Sequence, residues 1–194
     1  APKRSKLSDI QIQETQRIET RSAELNRVLG GGFVPGSVVL LGGHPGAGKS
    51  TLLLQVTSAL ARHRPVLYVS GEESLQQIAV RAQRLGLEPD QLELMTESRV
   101  EAILAAAVEM NPAVIVVDSI QVTRVANLSA TPGSVTQVRE SAALLTRHAK
   151  QTGQIVIMIG HVTKEGSLAG PKVLEHMIDA SLLLDGDSDG RYRT

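Results

Sequence analysis

Cysteine is absent from the 194 residues, which excludes disulfides, thiolate metal sites and thiol redox chemistry among them and suits a reducing compartment. Aromatic side chains are almost as scarce, with Phe33, Tyr68 and Tyr192 the only three and no tryptophan. Three scattered rings cannot build a base-stacking platform of the OB or RRM kind, so any nucleic-acid strand would have to be held through its backbone. Net charge is missing as well: basic and acidic residues number 20 each, leaving no global field to draw the chain onto nucleic acid or an anionic membrane. Contact with either needs a local patch. No apolar run approaches the ~18 residues of a membrane span, and no apolar segment follows Lys3, Arg4 and Lys6 in the manner of a leader. The expectation is a soluble, cytoplasmic chain with one core, since the length suits one α/β domain and is short for two.

What is present is more specific. Gly43-His44-Pro45-Gly46-Ala47-Gly48-Lys49-Ser50 fits G-x-x-x-x-G-K-[ST] at every fixed position, between an apolar run (Val38 to Leu41) and a helix-like run that opens with Thr51. Glycines let backbone N–H groups turn inward around phosphates, and the helix N-terminus adds positive potential. Gly43 to Thr51 therefore form the expected ATP or ADP site, with Lys49 reaching the β and γ oxygens and the Ser50 hydroxyl placed for Mg²⁺.

β-branched runs then alternate with amphipathic stretches. Strands are expected near 38–42, 66–70, 113–118, 154–160 and 181–185, and helices near 50–62, 75–85, 99–110 and 135–151. Capping-box spellings open three of the helices: Ser74-x-x-Gln77, Ser98-x-x-Glu101 and Ser134-x-x-Gln137. Gly86 and Gly153 mark two stops. The strands read as unbroken apolar runs, which predicts an α/β fold with a mostly parallel central sheet covered by helices on both faces. Residues 1–16 read as a tail or linker and 17–194 as the core, with a short helix from Ser22 to the glycines at 30–32. Asp185 to Gly190 mimics half of an EF-hand but reads as a solvated acidic turn, and the five histidines show no zinc spacing.

In an open parallel sheet ligands collect at the carboxyl ends of the strands. The run Val114 to Val117 ends in Asp118, an acid that can orient Mg²⁺ through a bound water, or else serve as a turn residue. The run ending Val69-Ser70-Gly71-Glu72-Glu73-Ser74 sets carboxylates beside a γ-phosphate, where one can orient and deprotonate the attacking water. Both acids could instead favour the N-terminus of the following helix. Glu72, nearer the strand end, is assigned the catalytic role and Glu73 the capping one. His161 ends the run from Ile155 and can sense the γ-phosphate, the alternative being a solvent-facing loop histidine. Glu72, Lys49 and His161 are thus the catalytic candidates, and Ser50 and Asp118 the metal candidates.

These stations, in this order, resemble the RecA-like ATPases and, within them, the bacterial RadA family of DNA-repair proteins related to RecA and the DnaB-type helicases. The resemblance rests on Leu29-Gly30-Gly31-Gly32, Ser70-Gly71-Glu72-Glu73-Ser74, Asp118-Ser119-Ile120-Gln121, Pro132-Gly133-Ser134-Val135 and the long motif from Gly160 to Lys172. It implies a RecA-like P-loop NTPase core in a ring hexamer, with ATP bound between neighbours and driving movement along single-stranded DNA during branch migration, and RecA as a partner. The loops at 122–134 and 162–172 are the expected DNA contacts, through Arg124, Lys164 and Lys172. The family's four-cysteine zinc finger, its Lys-Asn-Arg-Phe-Gly motif and its Lon-like domain have no counterpart here. The expectation is an isolated ATPase core that binds ATP well and hydrolyses it poorly if that motif supplies an activating cation to a neighbour. A KaiC-like P-loop kinase and a nucleotide-gated assembly module remain the alternatives.

Overall fold

Strand β1 (Val38–Gly43), the one that carries the phosphate-binding motif, lies inside the sheet of the computed structural model, which describes residues 4–9, 32–43, 49–87, 91–161, 174–184 and 192–193. Helix α1 (Lys49–Leu60) follows, then β2 (Val66–Ser70), α2 (Leu75–Arg84), β3 (Leu92–Thr96), α3 (Val100–Met110) and β4 (Val114–Asp118). A 3-10 turn at Ile120–Val122 leads to α4 (Val135–Thr152), β5 (Ile155–His161), β6 (Ala180–Leu184) and β7 (Tyr192–Arg193). The sheet runs β3-β2-β4-β5-β1-β6-β7. All neighbours are parallel except β6 and β7.

The apolar runs are explained by burial on both faces. Val39 and Leu41 join Leu54, Ile78, Val116 and Ile157 in one core, beneath α1 and α2. Val38 and Leu40, one residue out of phase, join Ile103, Ile115, Leu145 and Met158 in the other, beneath α3 and α4. Alternate residues of one strand thus feed two hydrophobic layers. Among the described residues no helix is long and apolar enough to cross a membrane.

The element boundaries follow the local chemistry, with corrections. The box expected at Ser134 is half-formed: Ser134 Oγ accepts from Gln137 N at 3.3 Å, but the Gln137 side chain bonds Val125 N, Leu128 O and Ala130 O instead of the cap backbone. At Ser74 the capping box is complete: its Oγ accepts from Gln77 N at 3.2 Å, and the Gln77 Oε1 accepts from Ser74 N at 2.9 Å. Gly86 and Gly153 end α2 and α4 with φ of 69° and 80°, as glycine after a helix should. The box expected at Ser98 and Glu101 does not form. Arg99 occupies the cap position of α3 without a side-chain cap bond, because the backbone on either side of it is drawn into pairing with Arg124: Arg124 N donates to Ser98 O at 2.9 Å and Val100 N to Arg124 O at 3.0 Å. Glu101 turns away and accepts from Ala126 N at 2.9 Å. β3 was not anticipated, since this edge strand is only partly buried and spells Leu-Glu-Leu-Met-Thr with little β-branching. The helix expected after Ser22, the loop 162–172 and the acidic turn at 185–190 lie outside the described residues.

Candidate nucleotide site

Adjacent strand ends build the site. Gly43 at the end of β1 is the register partner of His161 at the end of β5. One strand further, Asp118 at the end of β4 lies opposite Ile159 on one side and Ser70 of β2 on the other. The order β2-β4-β5-β1 therefore sets the acidic turn, Asp118, His161 and Gly43, the first residue of the motif, at one edge of the sheet, with Asp118 two residues short of the His161–Gly43 pair. Lys49 and Ser50 open α1 and Thr51 lies in its first turn, the strand-to-helix setting that the motif needs. His44, Pro45, Gly46, Ala47 and Gly48 lie outside the described residues, as do Lys164 and Lys172.

Asp118 is braced from β2. The Tyr68 hydroxyl donates to its Oδ2 at 3.0 Å, and Tyr68 is fully buried. Burial, followed by the Asp118 charge and this hydrogen bond, pushes the phenol well above its usual range, so the hydroxyl stays a donor. The two glutamates after β2 part company. Glu73 receives a bidentate pair from Arg81, at 2.8 and 3.0 Å, and its backbone N–H and C=O both bond the Ser70 Oγ, at 3.0 and 2.9 Å. Burial works against the Arg81 charge, but the bonds to Glu73 outweigh it and its pKa rises. The capping role expected of the Glu73 side chain is thus corrected: Ser74 and Gln77 already satisfy the helix start, and Arg81, two turns along α2, takes the carboxylate. Glu72 is exposed and, among the described residues, has no ion pair.

His161 is partly exposed at its strand end. Its carbonyl accepts from Gln121 Nε2 at 3.2 Å, so the 3-10 turn after Asp118 is tied to the end of β5. Sequence reasoning missed three residues here: Tyr68, Arg81 and Gln121. The one signal for Tyr68 was a tyrosine inside a buried strand, whose hydroxyl needs a partner.

Arg124 stands exposed beyond the 3-10 turn. With Arg99 and the loop 125–132 it lines a surface cleft of about 400 Å³. Gln137, only 2% exposed, organises this loop: its Oε1 accepts from Val125 N at 3.0 Å, and its Nε2 donates to Leu128 O at 3.3 Å and Ala130 O at 2.7 Å. Among the described residues no group of three or more His, Cys, Asp and Glu could hold a metal by itself. A single strand-end carboxylate fits Mg²⁺ carried in with a nucleotide, since that ion keeps waters and phosphate oxygens as most of its ligands.

The fold and this row of strand ends define a RecA-like P-loop NTPase. A family model described as "AAA domain" matches residues 1–167, and the chain belongs to that family. It is 61% identical over 188 residues to the DNA repair protein RadA of Haemophilus influenzae, covering 97% of this chain and 41% of that protein. The corresponding protein of Escherichia coli is 59% identical, again over 97% of this chain and 41% of its own length. That of Bacillus subtilis is 49% identical over 98% of the chain and 42% of its length. The chain thus spans about two fifths of the curated relatives it matches. Among solved structures, the KaiC-like protein PH0186 from Pyrococcus horikoshii superposes with a TM-score of 0.71 at 20% identity, covering 91% of this chain and 84% of that one, a likeness of fold.

Proposed function

We propose that this chain is a Mg²⁺-dependent ATPase core that couples hydrolysis to binding and movement along single-stranded DNA in recombinational repair and branch migration. It works in the cytoplasm as one subunit of a ring hexamer, with RecA among its partners. The observation that carries this reading is the alignment of Gly43, His161, Asp118 and the Glu72 turn at the ends of four successive strands. The DNA part is supported by the relatives named as DNA repair proteins.

In this mechanism the motif from Gly43 to Thr51 binds the phosphates, and Lys49 meets charge on the β and γ groups. Ser50 and Asp118 would hold Mg²⁺, Asp118 through a water, and the ion would supply charge neutralisation at the phosphate oxygens. Glu72 orients and deprotonates the attacking water, while Arg81 keeps Glu73 out of that role. His161 reads the γ-phosphate. The Gln121 bond to the His161 carbonyl gives that state a route to the loop that begins at Thr123, and Arg124, Lys164 and Lys172 meet DNA phosphates.

The test is ATP turnover with and without single-stranded DNA, on the wild type and on Glu72→Gln. The expected result is stimulation by DNA in the wild type, and a loss of roughly 100-fold or more in Glu72→Gln with ATP affinity kept. Phosphate transfer to a hydroxyl acceptor without DNA stimulation would favour a KaiC-like kinase. ATP-driven assembly without turnover would favour an assembly module.

A further inference from the structure

We propose that Tyr68 is a positioning residue that sets the Asp118 carboxylate for the metal–nucleotide complex. The inference rests on the ATPase reading above. On adjacent parallel strands, Tyr68 pairs with Val116 and Ser70 with Asp118. Residues two apart share a face of a strand, so Tyr68 and Ser70 stand on one face with Asp118 opposite Ser70 on the next strand.

A phenylalanine would fill the core at position 68 as well as a tyrosine does. The hydroxyl needs a reason, because a buried and unbonded hydroxyl is destabilising. Its partner is the carboxylate at the end of β4, two strands from β1, an Oδ2 at 3.0 Å. Holding one carboxylate oxygen fixes the plane of the whole group, and with it the direction in which Asp118 meets a metal-bound water. The brace is itself rigid, since a fully buried tyrosine in the second strand from the sheet edge has no room to swing.

The experiment compares Tyr68→Phe with Asp118→Asn and the double variant. It reads the Mg²⁺ concentration needed for tight binding of a fluorescent ATP analogue, the affinity for that analogue in EDTA, and the melting temperature without ligand. Tyr68→Phe should raise the Mg²⁺ requirement about 10-fold, in the range seen when outer-shell partners of a metal ligand are removed, and leave the affinity in EDTA unchanged. In the Asp118→Asn background the same change should have little further effect on the Mg²⁺ requirement. A Tyr68→Phe protein that melts lower but keeps the wild-type Mg²⁺ requirement, while Asp118→Asn loses it, overturns the proposal and spares the ATPase reading. If Asp118→Asn leaves the requirement unchanged, both fall together.

Should Tyr68→Phe fail to fold, the wild type decides. Its two tyrosines, labelled with ¹³C at Cζ, give two signals, and that of Tyr68 should move when Mg²⁺ is added to the ATP complex. No movement refutes the brace.

Discussion

Replacing Gln137 with leucine should free the loop 125–130 while leaving α4 in place. Leucine nearly matches the glutamine in volume but makes none of its three bonds to Val125 N, Leu128 O and Ala130 O. At a net value of about 1 kcal/mol for each buried hydrogen bond, the loss comes to about 3 kcal/mol. Some of it returns, because the two carbonyls can reach water once the loop lifts; the Val125 N–H, next to the Arg124 pairing, is the costlier orphan. For a chain of this size that corresponds to a fall of roughly 6–12 °C in melting temperature. The helix start persists, since the Ser134 Oγ bond goes to the Gln137 backbone N–H, at 3.3 Å. Hydrogen exchange should therefore speed up at Val125 and stay slow along α4. A melting temperature within a degree of wild type, with the Val125 amide still protected, would show that the glutamine merely fills space.

Three further outcomes are expected. Gly71→Ala should cost about 1–3 kcal/mol and slow turnover, because a Cβ at 71 collides with the Val122 Cγ2 beside the Glu72 turn; adding Val122→Ala should restore both, and additive losses in the double variant would exclude the clash. Glu97 is held down to about 2, first by the Arg99 side-chain hydrogen bond, against 4.5 for the free side chain. Because the folded value is the lower one, its contribution to stability is present above pH ~4.5 and is lost as pH falls toward ~2. Arg99→Ala should raise the Glu97 midpoint in a carboxyl NMR titration, and an unmoved midpoint would exclude Arg99 as the cause. Lys49→Ala should weaken triphosphate binding more than diphosphate binding, and equal losses by calorimetry would contradict its contact with the γ-phosphate.

What could be read from the sequence divides along physical lines. β1, β4 and β5 are buried on both faces and announce themselves as apolar runs, and a P-loop dictates its own strand and helix. β3 sits at an edge with mixed burial and leaves no such trace. The Ser74 box was legible because both of its partners lie within one turn of helix. The Ser98 box failed because Arg124, 26 residues further along the chain, claims the backbone around Arg99. The same holds at the site. That Asp118 and His161 end strands could be read from the sequence, but Tyr68 reaches Asp118 across 50 residues and Gln121 reaches His161 across 40. Those pairings exist only once the strand order is known.

The place of β1 in the sheet also orders events during synthesis. Among the described residues β1 pairs only with β5 and β6, which begin at residues 155 and 180, whereas β2, β3 and β4 lie within residues 66–118, with β2 paired to each of the other two. A nascent chain can therefore assemble β2, β3 and β4 early, while the strand that emerged before them waits, unpaired, for partners more than a hundred residues downstream. A polypeptide that has not yet reached β5 and β6 leaves β1 without the strands that flank it, so nucleotide binding waits for them.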